Sequence, residues 1–353
     1  MLKILAIVVL GAAALQAQVG RPQVVVSGDG YFPVLIRLSN GEALAVLRGG
    51  APHVGVKGRL DLVSSKDGGQ TWSKPWVAID EQYDDRNPAF GQLKDGTILL
   101  GYVIAKGYDA SGLKFTGARK DRVFEGVYLI RSRDNGKTWS KPSRDETIYK
   151  FYAGSGHVSP YGKIVQLKDG TVLMTVYFEF FDGRQNESYL FRSKDNGKTW
   201  GSPALMGKHY NETAIQILPD GRLLAAMRSE PGGHLAVTES NDQGKTWSAP
   251  VQVTKDSEHP ADLIVLKDGR ILMTYGERNA PRGVHAMISK DGRSWDKTKD
   301  IVLANDAPNT DCGYPSSIEV APGKILTMYY QVDDLKNAPA SAKAKSILWT
   351  APR

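Results

Sequence analysis

The sequence predicts an all-β chain, a six-bladed β-propeller of four-stranded antiparallel blades, on three observations. The pattern Ser-x-Asp-x-Gly-x-Thr-Trp occurs at Ser65–Trp72, Ser132–Trp139, Ser193–Trp200 and Ser240–Trp247, with a copy one residue shorter at Ser289–Trp295. A second turn, Leu-x-Asp/Asn-Gly, alternates with it at Leu38–Gly41, Leu93–Gly96, Leu167–Gly170, Leu218–Gly221 and Leu266–Gly269, with a degenerate copy at Ala321-Pro322-Gly323. Strand-like runs surround both turns, and no long stretch of 3.6-residue periodicity appears. Self-similarity at a spacing of about 50 to 75 residues means a repeated structural unit, and radially repeated four-stranded sheets make a propeller.

Each element follows from local chemistry. Asp-Gly between two apolar runs is a strong short hairpin signal, and runs such as Thr97–Tyr102, Thr171–Tyr177 and Ile271–Tyr275 follow these turns. In the longer pattern the Asp carboxylate accepts the turn's own backbone N–H groups. Gly supplies positive φ, and Trp packs into the neighbouring layer. The last unit lacks the Trp turn but has a late strand at Lys345–Trp349, with which Gln23–Ser27 is expected to pair and close the ring. Two insertions interrupt the rhythm. Lys106–Phe124 carries Tyr108, Asp109, Lys114, Arg119, Lys120 and Arg122, and the other runs over Glu179–Glu187. Long loops on a rigid scaffold commonly carry binding residues, although solvated loops are as common.

Composition bounds the rest. The 353 residues carry a formal net charge of +7 and one cysteine, Cys312, so no internal disulfide can form. Met1–Ala17 has Lys3, an apolar run from Ile4 to Leu15 and then small residues. It reads as a signal peptide cleaved after Ala14 or Ala17, and residues 18–353 as one domain. A periplasmic or secreted monomer is expected, with no membrane span. The basic residues are dispersed, without dense runs interleaved with aromatics, which argues against nucleic acid. A mild positive balance suits an anionic substrate by long-range attraction, although an ordinary solvated surface accounts for it more readily. His157, His209, His234, His259 and His285 lack zinc-site spacing, no glycine-rich phosphate cradle is present, and no Asp-rich loop calls for calcium, so no metal or cofactor is expected. Gly154-Ser155-Gly156-His157 reads as a loop at a blade's inner end, with His157 near the pocket, and not as a serine nucleophile site.

The repeat and its Asp-boxes resemble the sialidase (neuraminidase) superfamily over essentially the whole chain after the signal segment. Asn211-Glu212-Thr213, running to Met227-Arg228-Ser229, is similar to that family's Asn-Glu-Ser strand pair. There the Glu polarises the nucleophile and the Arg grips a substrate carboxylate. The stretch from His259-Pro260 to Pro281-Arg282-Gly283-Val284 resembles the strand carrying another clamp arginine, which implies Arg282. Cys312-Gly313-Tyr314-Pro315 resembles the strand that bears the nucleophilic tyrosine, which implies Tyr314. Chemistry supports this set. A substrate with its own anomeric carboxylate repels a carboxylate nucleophile, whereas a neutral Tyr does not. A phenol with pKa near 10 needs an adjacent base. Guanidinium meets carboxylate in a two-point fork.

Two parts of the family pattern are absent. Gly30-Tyr31-Phe32-Pro33 places Tyr31 where the family's first clamp arginine stands, and Arg37 or Arg48 could substitute. The loop Arg48–Lys57, where the family carries its acid/base Asp, contains no carboxylate and offers only His53 as a proton shuttle. Asp84-Asp85-Arg86-Asn87-Pro88 adds Asp85 as a candidate acid and Arg86 as a candidate cation, or is simply a turn-forming cluster. The expected site therefore has Tyr314, Glu212, His53 and Asp85 as catalytic groups, with Arg228, Arg282, Arg48, Arg86 and Tyr31 holding substrate at one mouth of the axis. The expected function is an exo-glycosidase acting on a glycan with an acidic terminal sugar. Sialic acid leads, with a related nonulosonic acid or a uronic acid behind it. Hydrolysis, transfer and elimination remain open, as does a glycan-binding propeller without turnover.

Overall fold

The computed structural model describes residues 17–117, 122–152, 156–180, 183–338 and 340–352. The signal-peptide reading (save Ala17), Arg119 and Lys120, and Gly154-Ser155 lie outside the described residues. The regular structure is almost all strand, with a single α-helix among the described residues, Glu146–Tyr152.

The strands form three four-stranded antiparallel sheets, one eight-stranded sheet of two antiparallel halves and one five-stranded sheet that joins the chain ends, so six antiparallel units follow one another along the chain. Their first strands are Tyr31–Arg37, Asp84–Gln92, Gly156–Gln166, Tyr210–Ile217, Glu258–Val265 and Cys312–Ala321. They number the sheets one to six below. Sheets two and three are joined by a short parallel contact, Gly162 opposite Ala89 and Lys163 opposite Phe90. Sheet six takes its fourth strand from the other end of the chain. Gln23–Ser27 pairs antiparallel with Ala342–Thr350, Gln23 opposite Ser346 and Ser27 opposite Lys343.

The core lies between neighbouring sheets. Leu44, Val46 and Leu62 of sheet one meet Ile98, Leu100 and Tyr102 of sheet two. Leu99 and Val103 of sheet two meet Met174 and Phe191 of sheet three. The same packing recurs between sheets three and four (Leu173 and Leu190 against Ile215 and Leu223). Leu272 and Val284 of sheet five meet Ile325 and Tyr329 of sheet six, and Leu35 and Leu47 of sheet one meet Leu326 and Met328 of sheet six. Sheets covered on both faces need near-continuous apolar strands, as in Ala43–Gly49, whose side chains are all buried.

The repeated turn is a closed hydrogen-bond unit. In the first copy, Asp67 Oδ1 accepts the Gln70 and Thr71 N–H groups at 3.0 and 2.9 Å, and the Ser65 hydroxyl donates to it at 2.8 Å. Asp134, Asp195, Asp242 and Asp291 repeat the arrangement. The turn glycine allows close approach to the preceding sheet. A Cβ on Gly197 (φ +76°) would sit 2.4 Å from Leu99 of sheet two, and one on Gly69 (φ +92°) 2.5 Å from Leu326 of sheet six.

Candidate active site

Every first strand of a sheet carries a register shift near its start or middle. Such a bulge re-aims one side chain out of the regular alternation. Four of them contain an X-Pro step, His259-Pro260 among them, where Pro has no N–H to leave unpaired. The residues before the other three prolines, Phe32, Asn87 and Tyr314, have φ of +51°, +54° and +49°. Left-handed backbone at a bulky residue costs on the order of 1–3 kcal/mol and clusters at functional sites. All three residues line one cavity, together with Tyr161, Glu212 and Asp262.

At its centre the Tyr314 hydroxyl donates to Glu212 Oε1 at 2.5 Å. The other carboxylate oxygen, Oε2, accepts from Arg228 Nη1 at 2.7 Å. Glu212 is buried, held by the bulge whose register shifts between Tyr210 and Thr213. Burial, followed by the Glu212 charge, pushes the Tyr314 phenol above its ordinary range, with Arg228 and Arg278 pulling the other way. The phenol therefore stays protonated at rest.

The second guanidinium at this tyrosine is Arg278, whose Cζ lies 5.6 Å from the Tyr314 ring centre. Arg282, expected from the sequence, opens the strand Arg282–Ser289 opposite Ala307, and its charge is felt at the Cys312 thiol. Arg282 Nε is buried without a hydrogen-bond partner, and Arg278, four residues earlier, bears on the same thiol. Arg278 leaves the end of the strand Ile271–Glu277 beside the last sheet, where its Nη2 donates to the Cys312 carbonyl at 3.5 Å. His259 is buried between these charges. Burial first, then Arg228 and Arg278, drive its pKa far down, so it stays a neutral ring.

Four other expectations change. Arg48 holds no free face toward a substrate. It is fully buried, with Nε and Nη2 on Asp84 Oδ1 at 3.0 and 2.6 Å and Nη1 on the Pro52 carbonyl at 2.5 Å. Arg86 is likewise committed, its Nη1 donating to Asp84 Oδ2 at 3.1 Å. Asp85 faces away from this cluster. Its Oδ2 accepts the Glu81 N–H at 2.8 Å, and burial with the Glu81 and Asp84 charges pushes its carboxyl up to about 7. Strand alternation explains the split, because Asp84 and Asp85 point to opposite faces. Tyr31 is a core residue, packed on Tyr330 at 5.3 Å between ring centres, and its neighbour Phe32 takes the cavity wall.

The first insertion reaches the same region. The Tyr108 hydroxyl donates to Asp84 Oδ2, and the Tyr108 ring stacks on Phe115 at 4.4 Å. Asp109 and Lys114 close their own turn through backbone atoms, and Arg122 lies over the Phe115 ring at 4.7 Å. His157 stacks on Phe124 at 3.9 Å. His53 pairs with Asp311 at 2.8 Å. Arg278, Asp311, Phe32 and Asn87 were not singled out for the site from sequence. The available signal was the X-Pro step shared by Phe32, Asn87 and Tyr314. Among the described residues no cluster of three His, Cys, Asp or Glu side chains is placed to hold a metal ion. No described helix is long and apolar enough to cross a membrane.

Known proteins share the repeat along much of the chain. A sialidase from Clostridium perfringens is 26% identical over 191 residues, covering 50% of this chain and 49% of that protein. A sialidase from Bacteroides fragilis is 28% identical over 277 residues, covering 69% of this chain and 49% of that protein. The chain thus spans about half the length of the curated relatives it matches. The crystal structure of a protein of unknown function from Dyadobacter fermentans has a TM-score of 0.77 at 26% identity, covering 97% of this chain and 100% of that one. The family model described as BNR repeat-like domain matches residues 45–326. With most of its length inside that match, the chain belongs to the BNR repeat-like domain family of the sialidase superfamily.

Proposed function

We propose that this protein is a retaining exo-glycosidase that removes a terminal acidic sugar, sialic acid first among the candidates, from a glycan. The observation that carries the reading is the Tyr314 hydroxyl at 2.5 Å from Glu212, whose second oxygen is held by Arg228. As Tyr314 attacks the anomeric carbon, its proton passes to Glu212, and no anion need approach the substrate's carboxylate. Arg228 and Arg278 flank Tyr314 and supply the cations for that carboxylate. The reading takes the six sheets as the blades of one closed propeller with this cavity at the axis. It takes Met1–Ala17 as an export signal, which puts the working protein in the periplasm or outside the cell.

The test is turnover of a fluorogenic α-sialoside by the purified chain and by Tyr314→Phe. Turnover that Tyr314→Phe abolishes supports a tyrosine-dependent sialidase. No turnover by the wild type, with retained binding on a glycan array, would favour a glycan-binding propeller, a role consistent with the lack of a cation at Tyr31.

A further inference from the structure

The loop between the strands Ala43–Gly49 and Arg59–Ser65 is held from beneath and from the side. Arg48 Nη1 donates to the Pro52 carbonyl at 2.5 Å and Nη2 to the Gly55 carbonyl at 3.1 Å. The same guanidinium is fixed to Asp84. The first insertion adds a clamp, the Val56 N–H donating to the Gly112 carbonyl at 2.8 Å. A rigid loop tip built on a buried ion pair is an expensive way to place a residue with no task. The residue it places is His53.

His53 Nδ1 lies 2.8 Å from Asp311 Oδ1, and the Tyr330 hydroxyl donates to that same oxygen at 2.7 Å. Asp311 is fixed in turn, since its N–H donates to Asn309 Oδ1 at 2.9 Å. The His53 ring meets Phe32 edge-on at 4.9 Å, and Phe32 packs on Tyr314 at 4.9 Å, so one ring separates His53 from the nucleophile candidate. We propose that His53 is the general acid and base of the glycosyl transfer and that Asp311 is its positioning residue. This rests on the glycosidase reading and supplies the proton donor which that reading lacks.

Burial opposes ionisation of Asp311, but the His53 and Tyr330 hydrogen bonds hold its carboxyl below the ordinary range. An ionised carboxylate only accepts, so Nδ1 of His53 carries a proton and the exchangeable site is Nε2. The ring is 41% exposed, open to substrate and water, while Asp311 behind it is 14% exposed. In the first step the Tyr314 oxygen bonds to the anomeric carbon and its proton goes to Glu212. The bond to the leaving oxygen breaks with its electron pair, and that oxygen takes the Nε2 proton from His53. In the second step Nε2 takes a proton from water, whose oxygen bonds to the anomeric carbon. The bond to Tyr314 breaks with its pair, and the phenolate recovers its proton from Glu212. Protein and protons return to their starting state.

The experiment compares an aryl α-sialoside, whose leaving group needs little protonation, with a sialyl oligosaccharide, whose leaving alcohol needs it. His53→Ala should lower kcat/KM on the oligosaccharide by about 10²–10⁴-fold and restore most of the rate on the aryl substrate. The groups facing His53 are Asp311 and, behind it, Tyr330 from sheet six, Tyr31 from sheet one, and Arg278 through its charge on Asp311. The alkaline limb of the oligosaccharide pH profile should disappear in His53→Ala. Asp311→Asn should lower the oligosaccharide rate and spare the aryl substrate, because the donor loses the partner that orients it. Asp311→Glu, which keeps the charge, should recover part of the loss. Ring 15N shifts of His53 should show the proton of the neutral ring on Nδ1, the nitrogen facing Asp311. A His53→Ala penalty equal for both leaving groups overturns the dyad alone, as does the reverse tautomer. No turnover of either glycoside by the wild type overturns the glycosidase reading together with the catalytic role.

Discussion

Arg48 shows how far a residue's role depends on what its chemistry is pointed at. A lone arginine after the first hairpin suits a carboxylate ligand, yet here the carboxylate it meets is Asp84, with neither side chain exposed. Removing one partner of a buried pair typically costs about 3–5 kcal/mol, because the other charge is left without compensation. Asp84→Ala should therefore lower the unfolding free energy in urea by about that amount. Gly58 makes the pair possible, since a Cβ there would lie 1.9 Å from Asp84 Oδ1 and 2.4 Å from Arg48 Nη2. Gly58→Ala should accordingly lower the melting temperature, read by differential scanning calorimetry. Arg278 and Arg282 make a second contrast. If Arg278 binds the substrate carboxylate, a charge-assisted contact of about 1.5–3 kcal/mol means that Arg278→Ala raises KM by roughly 10- to 100-fold. Steady-state kinetics of Arg282→Ala on the same acidic glycoside separates a two-arginine clamp, which raises KM in both variants, from Arg278 acting alone.

At the scale of the element, the Asp turns were legible because their bonding is internal to eight residues. Hydrogen bonds led by the Thr71 and Thr138 hydroxyls hold Asp67 and Asp134 down at about 2. Both carboxylates titrate near 3.9 in an unfolded chain. Their folded values are depressed, so the stability they add is present above about pH 4 and is lost as pH falls toward about 2. The melting temperature should drop through that window, and the double variant Asp67→Asn/Asp134→Asn should show a shallower drop from a lower start. The strand bulges were less legible. Phe32-Pro33, Asn87-Pro88 and Tyr314-Pro315 share a sequence feature, but positive φ before a proline runs against local preference. Only the register of the neighbouring strand makes it necessary.

Across the whole molecule, contacts distant in sequence tie the sheets to one another. Lys163 Nζ, on sheet three, donates to Asp262 Oδ2 on sheet five at 2.6 Å and to the Ser317 carbonyl on sheet six at 2.7 Å. Lys163→Met leaves Asp262 buried with its cation gone, and chemical denaturation should show a loss of about 3–5 kcal/mol. The pairing of Gln23–Ser27 with Ala342–Thr350 covers an edge of sheet six. Deleting residues 17–27 exposes that edge, which should lower the melting temperature and promote self-association, as measured by light scattering.

By itself the sequence determined the repeat, the sheet order that follows from it and the pairing of the two chain ends, because hairpin turns and apolar runs are local and recur. It also pointed to Tyr314, Glu212 and Arg228, which sit in recognisable strand contexts. Tertiary structure decided which carboxylate of Asp84 and Asp85 meets the arginines, that Arg278 stands beside Tyr314, and that His53 has Asp311 as its partner. The reason is geometric. His53 and Asp311 are 258 positions apart, and no local preference encodes a contact made only when the last sheet packs beside the first.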